Sequence, residues 1–406
     1  MAPENTNPTT SPQRLRLREL IPDIKLGAFP PGPKNGITDV PGVLVSTISV
    51  QGDNGDVNTG VTTILPRRDW FTNGCHAGMF RYNGAGELTG SHWLDETGVL
   101  VSPIVLSNSY AVGACHQGIY QYAATEHPNA EFFLMPVVGE TYDGVLNNLR
   151  KFSVTPEHVV QGIKSATADP VQEGNTGGGT GMICQGFKGG TGTASRLVTG
   201  LKADDGGTET TYTVAALVQA NYGRMSTLHI AGVPVGRILQ SEVLRDEQKR
   251  KEAAAYDAAK DKNDGSIIIV IATDAPLDPV GLQRLARRAT GGLSRVGGYG
   301  NNTSGDVFMA FSTATANGVP AEGIGSRDPK IDLRKPKAVA TESIYVPTSD
   351  PLLEAAADAT EEAIYNVLCK AETMVGRNGF KMEAMPLDKV KMIVEKHLEL
   401  EKSLSQ

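Results

Sequence analysis

Residues 267–273, IIIVIAT, constrain the fold of this chain more than any other stretch. An unbroken run of β-branched and small apolar side chains suits a central strand buried on both faces and nothing else. Such a strand needs packed layers above and below it, which predicts a mixed α/β protein with helices on the outer faces. Other segments support that prediction. GVLVSTISV (42–50) and GVTTILPR (60–67) alternate short apolar strands with glycine turns, and VLVSPIVL opens the segment 99–122. AEFFLMPVVGE (130–140), TETTYTVAALVQAN (208–221), LHIAGVPVG (228–236) and DVFMAFSTAT (306–315) also have strand character.

Helices are predicted for AVGACHQGIYQYA within 99–122, for 145–152 and for 156–166. In 279–297 the stripe Val280, Leu282, Leu285 and Ala286 predicts a helix that stops at Gly291-Gly292. Asp350-Pro351 is a favourable helix start, and the helix it opens is expected to reach residue 374. Residues 241–264 are rich in Ala, Lys, Glu and Asp and show no core face, so they read as a solvated helix or flexible linker. The polar, Pro/Thr-rich start of the chain reads as a disordered leader over 1–30 without the apolar core of a signal peptide.

With 406 residues, 40% of them hydrophobic and 20% charged, the chain is neither a disordered polymer nor a small disulfide scaffold. Its 38 Lys+Arg against 45 Asp+Glu give a net charge of −7 and no electrostatic reason to expect nucleic acid. No apolar run approaches the roughly 20 residues of a membrane span. Cys75, Cys115, Cys184 and Cys369 form no CxxC pair, which favours a reducing, cytoplasmic setting over a disulfide or metal framework. The histidines, His92 and His116 among them, show no metal-ligand spacing, so no metal or cofactor is expected. The 46 glycines gather at 84–90, 177–192 and 291–305, where backbone is expected to pack close to a ligand or another strand. The block at 174–196 lacks the GxxxxGK[ST] spacing of a phosphate loop.

Four stretches carry candidate chemistry. In NDGSIIIVIATDAPL (263–277), Ser266 follows Gly265 at the entrance to the buried strand. This is either an ordinary loop-to-strand junction or a self-processing site. In the second case the Ser266 hydroxyl attacks the Gly265 carbonyl, which glycine leaves unhindered. Cleavage frees an α-amine with a reference pKa of about 7.7–8.0 beside that hydroxyl, a local base without histidine. In NNTSGDVFMAF (301–311), Ser304 and Asp306 flank Gly305, as a capped turn or as a pair that orients a nucleophile. Asn221 ends an apolar strand, where its amide can serve as an oxyanion donor or simply terminate the strand. In MPVVGETYDG (135–144), Glu140 and Tyr142 share a face, suited to a substrate ammonium and an oxyanion respectively, or to an exposed turn.

In order along the chain, NGITDVPGV (35–43), RYNGAGELTG (81–90), PVVGETYDG (136–144), GGGTGM (177–182), FKGGTGTASR (187–196), ANYG (220–223), DGSIIIVIATDAPL (264–277) and SGD (304–306) resemble the L-aminopeptidase D-amidase/D-esterase family, which includes the bacterial β-aminopeptidases. The likeness spans roughly residues 30–390. It implies a four-layer α/β/β/α sandwich, similar to the N-terminal-nucleophile hydrolases but differently connected. It also implies a precursor that cuts itself at Gly265-Ser266, giving an α chain of 265 residues, of which 31–265 belong to the sandwich, and a β chain (266–406), assembled as a homotetramer of αβ units. By the resemblance Ser266 is the nucleophile, Ser304 and Asp306 assist and orient it, and Asn221 and Tyr142 lie at the oxyanion. Glu140 then holds the free amine of a small peptide, amino-acid amide or ester. β-Aminopeptidase relatives carry Glu where this chain has Asp306, and the 241–264 segment is long for the family.

The implied activity is hydrolysis of N-terminal residues through an acyl-enzyme. One alternative keeps the fold but changes the reaction to acyl transfer, as in ornithine acetyltransferase relatives that use a threonine nucleophile; another, of a different class, is an uncleaved, non-catalytic binding protein.

Overall fold

The computed structural model describes residues 14–128, 134–204, 206–243, 265–314, 332, 334–336, 338 and 340–404. Its strands are β1 (Leu44–Gly52), β2 (Val57–Leu65), β3 (Cys75–Arg81), β4 (Val99–Leu100), β5 (Ile104–Asn108), β6 (Val137–Thr141), β7 (Ile183–Cys184), β8 (Phe187–Lys188), β9 (Gly190–Leu201), β10 (Glu209–Asn221), β11 (Ser266–Thr273), β12 (Asp306–Ser312), β13 (Met374–Val375) and β14 (Lys381–Met382). Its helices are α1 (Leu17–Leu20), α2 (Ser91–Thr97), α3 (Val112–Glu126), α4 (Pro156–Ser165), α5 (Val235–Val243), α6 (Pro279–Val296), α7 (Asp350–Lys370) and α8 (Leu387–Leu404).

The IIIVIAT run lies in β11, inside a six-stranded sheet ordered β4-β3-β12-β11-β10-β9. Antiparallel β10 flanks it on one side and parallel β12 on the other. Its alternate side chains enter two different cores. Ile267, Ile269 and Ile271 pack with Leu285 and Leu293 of α6 and with Ala363 and Val367 of α7. Ile268, Val270 and Ala272 instead meet Ile64, Leu106 and Val137 of the second sheet, ordered β1-β2-β5-β6. The outer face of that second sheet is covered by α3 and α4, through Ile119, Val159 and Ile163 against Val61, Val105 and Val138. The result is the expected α/β/β/α sandwich, and the double burial of β11 follows from its position between the two inner interfaces.

Several expected elements take a different form. From Arg14 onward the expected leader belongs to the core: Leu17, Ile21 and Ile24 are buried, and Arg18 pairs with Glu362 of α7 at 2.8 Å. The alternating Leu and Arg of LRLREL divide between apolar core and buried acid, which a composition-based reading of a polar leader overlooks. Segment 145–152 forms only a short turn at Leu149–Lys151, because Asn147 and Asn148 donate to Asp143 and Asp56 at 2.9 and 2.8 Å and fix a non-helical backbone. LHIAGVPVG is no strand: Ala231 and Gly232 both take positive φ, and α5 starts at Val235.

The α6 helix runs through Gly291-Gly292 to end at Gly297, whose φ is +108°. A Cβ on Gly292 would lie 2.4 Å from the Ala357 carbonyl oxygen, so this glycine permits close helix packing and does not act as a stop. The α7 helix ends at Lys370, before Met374 enters β13. Within the apolar run 130–140, strand starts at Val137. Residues 244–264 of the charged segment lie outside the described residues.

Candidate active site

The site forms where several strand ends meet. Antiparallel register pairs Asn221, the last residue of β10, with Ser266, the first of β11. Parallel register pairs Ile267 with Asp306, the first of β12. Since β11 and β12 start at the same edge, Ser266, Ser304 and Asp306 converge without any long loop to span. All three are buried.

The contacts centre on the Gly265-Ser266 peptide. The Ser304 hydroxyl donates to the Gly265 carbonyl oxygen and lies 2.7 Å from Asp306 Oδ1. The Gly305 N–H donates to Ser266 Oγ at 3.0 Å. Asp306 Oδ1 also accepts the Ile267 N–H at 3.1 Å, and Oδ2 accepts from Asn83 Nδ2 at 3.2 Å. The aspartate arm therefore reaches Ser304 despite being one methylene shorter than glutamate. Burial pushes the Asp306 carboxyl up to about 6, against the opposing pull of these donors.

A hydroxyl has one proton, so the two Ser304 contacts depend on the state of Asp306. As a carboxylate, Asp306 draws the Ser304 proton to itself. As an acid, it donates to Ser304 Oγ, and Ser304 then donates to the Gly265 carbonyl.

Close backbone approach explains the glycines. A Cβ on Gly265 would sit 1.5 Å from the Asn221 carbonyl oxygen, and one on Gly305 would sit 2.4 Å from Gly86 Cα. The second approach lets residues 83–87 close over β12, so that Asn83 both donates to Asp306 Oδ2 and accepts the Asp306 N–H at 2.6 Å.

Asn221 is held from two sides. Its Oδ1 accepts the Ile183 N–H at 2.9 Å and its Nδ2 donates to the Tyr142 carbonyl at 2.7 Å. That second bond ties the end of β10 to the end of β6, which carries Glu140. Glu140 is buried; Oε1 accepts the Glu87 N–H at 3.1 Å and Oε2 accepts the Ser109 hydroxyl. Burial raises its carboxyl above the usual range. The Tyr142 phenol is half-buried and raised in the same way.

The six residues singled out from sequence thus lie along adjoining strand ends: Ser266, Ser304 and Asp306 in one hydrogen-bonded group, Asn221 paired with Ser266 and bonded to the Tyr142 carbonyl, and Glu140 two residues before Tyr142 on β6. Sequence reasoning missed Asn83, Ser109 and the amides of Gly305 and Ile183. Asn83 lies three residues before Gly86, the glycine that packs on Gly305, within the RYNGAGELTG stretch, and that placement was the available signal. Backbone donors have none.

A small cavity bordered by Tyr222, Arg224, Tyr299 and Asn301 reaches Ser304 and Asp306. Among the described residues, no cluster of three or more His, Cys, Asp or Glu could hold a metal ion. No helix among them is long and apolar enough to cross a membrane.

A four-layer sandwich whose central strand opens on a buried, hydrogen-bonded serine defines a serine hydrolase related to the N-terminal-nucleophile fold. The chain belongs to peptidase family S58, whose profile matches residues 35–382. It is 43% identical over 378 residues to the beta-peptidyl aminopeptidase BapA of Sphingosinicella microcystinivorans, covering 91% of this chain and 90% of that one. A Burkholderia sp. beta-aminopeptidase structure superposes with a TM-score of 0.79 at 38% identity, over 94% of this chain and 99% of its own. The L-aminopeptidase D-ala-esterase/amidase of Ochrobactrum anthropi, a prototype serine aminopeptidase with a variant Ntn hydrolase fold, gives 0.77 at 36% identity over 94% and 98%. The protein is accordingly a serine aminopeptidase, and neither acyl transfer nor a purely binding role is favoured.

Proposed function

We propose that the precursor cuts itself between Gly265 and Ser266 and that the exposed Ser266 then serves as the aminopeptidase nucleophile. The observation that carries this reading is the Ser304 hydroxyl on the Gly265 carbonyl oxygen, with the Gly305 amide on Ser266 Oγ. In maturation, Ser266 Oγ bonds to the Gly265 carbonyl carbon while the developing oxyanion takes a hydrogen bond from Ser304. The C–N bond then breaks, and the proton from Oγ ends on the Ser266 nitrogen. Water hydrolyses the resulting ester, leaving a Gly265 carboxylate and a free Ser266 amine and hydroxyl.

In turnover the same hydroxyl attacks the first peptide carbonyl of a substrate. The Glu140 carboxylate holds the substrate ammonium, and Asn221 and Tyr142 serve the oxyanion, a class of interaction worth about 3–4 kcal/mol per donor. The Ser266 amine takes the hydroxyl proton and Asp306 orients Ser304 beside it. The Sphingosinicella relative's name makes peptides with an N-terminal β-amino acid the first substrates to test. The resemblance implies a homotetramer of αβ units, and the four free cysteines fit a reducing, cytoplasmic setting.

The test is the intact mass of denatured protein, followed over time for wild type and Ser266→Ala. Two chains split at 265/266 in the wild type and one uncut, inactive chain in the variant are expected. A cut or active alanine variant overturns the proposal.

A further inference from the structure

Beyond Tyr142, on the opposite side from Glu140 in sequence, an open cavity of about 420 Å³ is lined by Tyr142, Gly144, Val145, Arg377, Asn378 and Phe380, with Gly379 at its edge. Arg377 stands at the turn between β13 and β14, and that turn is built firmly. The Arg377 N–H donates to the Leu146 carbonyl at 3.0 Å, the Phe380 N–H to the Arg377 carbonyl at 3.1 Å, and the Gly376 N–H to the Phe380 carbonyl at 2.8 Å. A Cβ on Gly376 would sit 2.5 Å from the Leu146 carbonyl oxygen, so the turn is clamped against the segment that follows Tyr142.

Arg377 is half-buried and, among the described residues, its guanidinium has neither an ion pair nor a side-chain hydrogen bond. Arg16 and Arg18, the fully buried Arg196 and the more exposed Arg295 each meet a carboxylate at 2.5–2.8 Å, whereas Arg377 meets none among the described residues. The Tyr142 hydroxyl likewise makes no hydrogen bond among the described residues. The positive charge of Arg377 favours the phenolate of Tyr142, which places the two groups within electrostatic reach across the cavity. A fork of donors held on a rigid turn, lacking an acid and facing an open cavity, matches a planar anion such as a carboxylate.

We propose that this cavity receives the leaving side of the substrate and that Arg377 binds the free carboxylate of a short peptide's C-terminus. The proposal rests on the aminopeptidase reading, with the ammonium held at Glu140 and the scissile carbonyl between Ser266 and Asn221. The two ends of a dipeptide would then be fixed by opposite charges on either side of the nucleophile. This adds a preference for di- and tripeptide acids over their amides. Arg377 touches no reacting atom and sets specificity only.

The experiment compares β-alanyl-alanine, its C-terminal amide and β-alanyl-p-nitroanilide on wild type, Arg377→Gln and Arg377→Lys. In the wild type the acid should show a KM at least fivefold below that of the amide. Arg377→Gln should raise the acid's KM about tenfold with kcat kept, leave the amide and anilide within twofold, and Arg377→Lys should restore part of the loss. Equal KM values for acid and amide in the wild type, or an equal loss on all three substrates, would overturn the proposal. Calorimetric titration of wild type and Arg377→Gln with alanine and with alaninamide reads the same contact without turnover. A preference for alanine that disappears in the variant supports the site even if no substrate is cleaved, and no preference in the wild type sinks it. Failure of hydrolysis alone refutes the aminopeptidase reading and leaves this titration to decide the cavity.

Discussion

Gly265→Ala isolates the geometry of self-cleavage from that of turnover. The added Cβ would lie 1.5 Å from the Asn221 carbonyl oxygen and 2.6 Å from its carbonyl carbon. Atoms at ordinary carbon contact stand about 3.5 Å apart, so the ends of β10 and β11 must separate by about 1.5–2 Å or residue 265 must rotate away. Either movement takes the Gly265 carbonyl off the Ser304 hydroxyl and out of line with Ser266 Oγ. A misplacement of about 1 Å costs on the order of 100-fold in rate, so cleavage should slow by at least that much. The overpacking itself should lower precursor stability by about 1–3 kcal/mol. Once cut, residue 265 is a free chain end able to swing clear of Asn221, so activity per cut molecule should equal that of the wild type. Denaturing mass spectra over time give the cut fraction, initial rates on the same samples give the activity, and a thermal melt shows that the variant folds. Cleavage at the wild-type rate in a folded variant would refute the claim that this close approach positions the scissile carbonyl.

Glu140→Gln removes the charge proposed to hold the substrate ammonium. By the usual cost of about 2–5 kcal/mol for losing one partner of a buried charge pair, kcat/KM should fall roughly 30-fold or more, mainly through KM; an unchanged KM on an aminoacyl anilide would count against that role. With its carboxyl held at about 6, Asp306 should give kcat/KM an acid limb near that pH, and Asp306→Asn should abolish the limb. Because this folded value lies above the ordinary 3.8, the group's stabilising contribution is complete below the unfolded value and is lost as pH rises through about 6. The stability difference between wild type and Asp306→Asn, measured by chemical denaturation from pH 4 to 7, should follow that slope, and a flat difference would contradict it. Lys188 is fully buried with Nζ donating to the Met182 and Gly189 carbonyls at 2.9 and 2.8 Å. Lys188→Met strands the Gly189 carbonyl at about 1–3 kcal/mol, while the Met182 carbonyl keeps the Gly189 N–H at 2.8 Å, and should lower the unfolding midpoint; a variant as stable as wild type would remove the lysine from the account.

How much could be read from sequence depended on whether the signal was local. The strand at 267–273 was legible because double burial demands an unbroken apolar run, and the strands over 42–50 and 60–67 because turns bound them. Gly291-Gly292 misled because a glycine that admits a neighbouring helix has the same one-letter signature as one that ends its own. Leu17 and Arg18 were lost in a polar leader because their partners, the α7 core and Glu362, lie more than 300 residues away. The site divides along the same line. Ser266, Ser304 and Asp306 sit beside glycines at strand entrances, a pattern visible locally. Asn83, Ser109 and the amides of Gly305 and Ile183 have meaning only once β3, β5, β7 and β12 are brought together.

On the proposed cut between Gly265 and Ser266, the place of that bond at the head of β11 would govern how the mature protein comes apart. After cutting, β11 remains paired with β10 of the first chain on one side and with β12 of its own chain on the other, while α7 keeps Glu362 on Arg18 and Arg196 of the first chain. No small docking surface separates the two chains; their shared interface is the interior of the sheet. Unfolding therefore changes molecularity: the uncut precursor unfolds as one chain at a midpoint independent of dilution, whereas each cut unit must dissociate as it unfolds. Its apparent stability then rises with concentration by mass action, and a dilute sample of mature protein is more easily lost than the same dilution of its precursor.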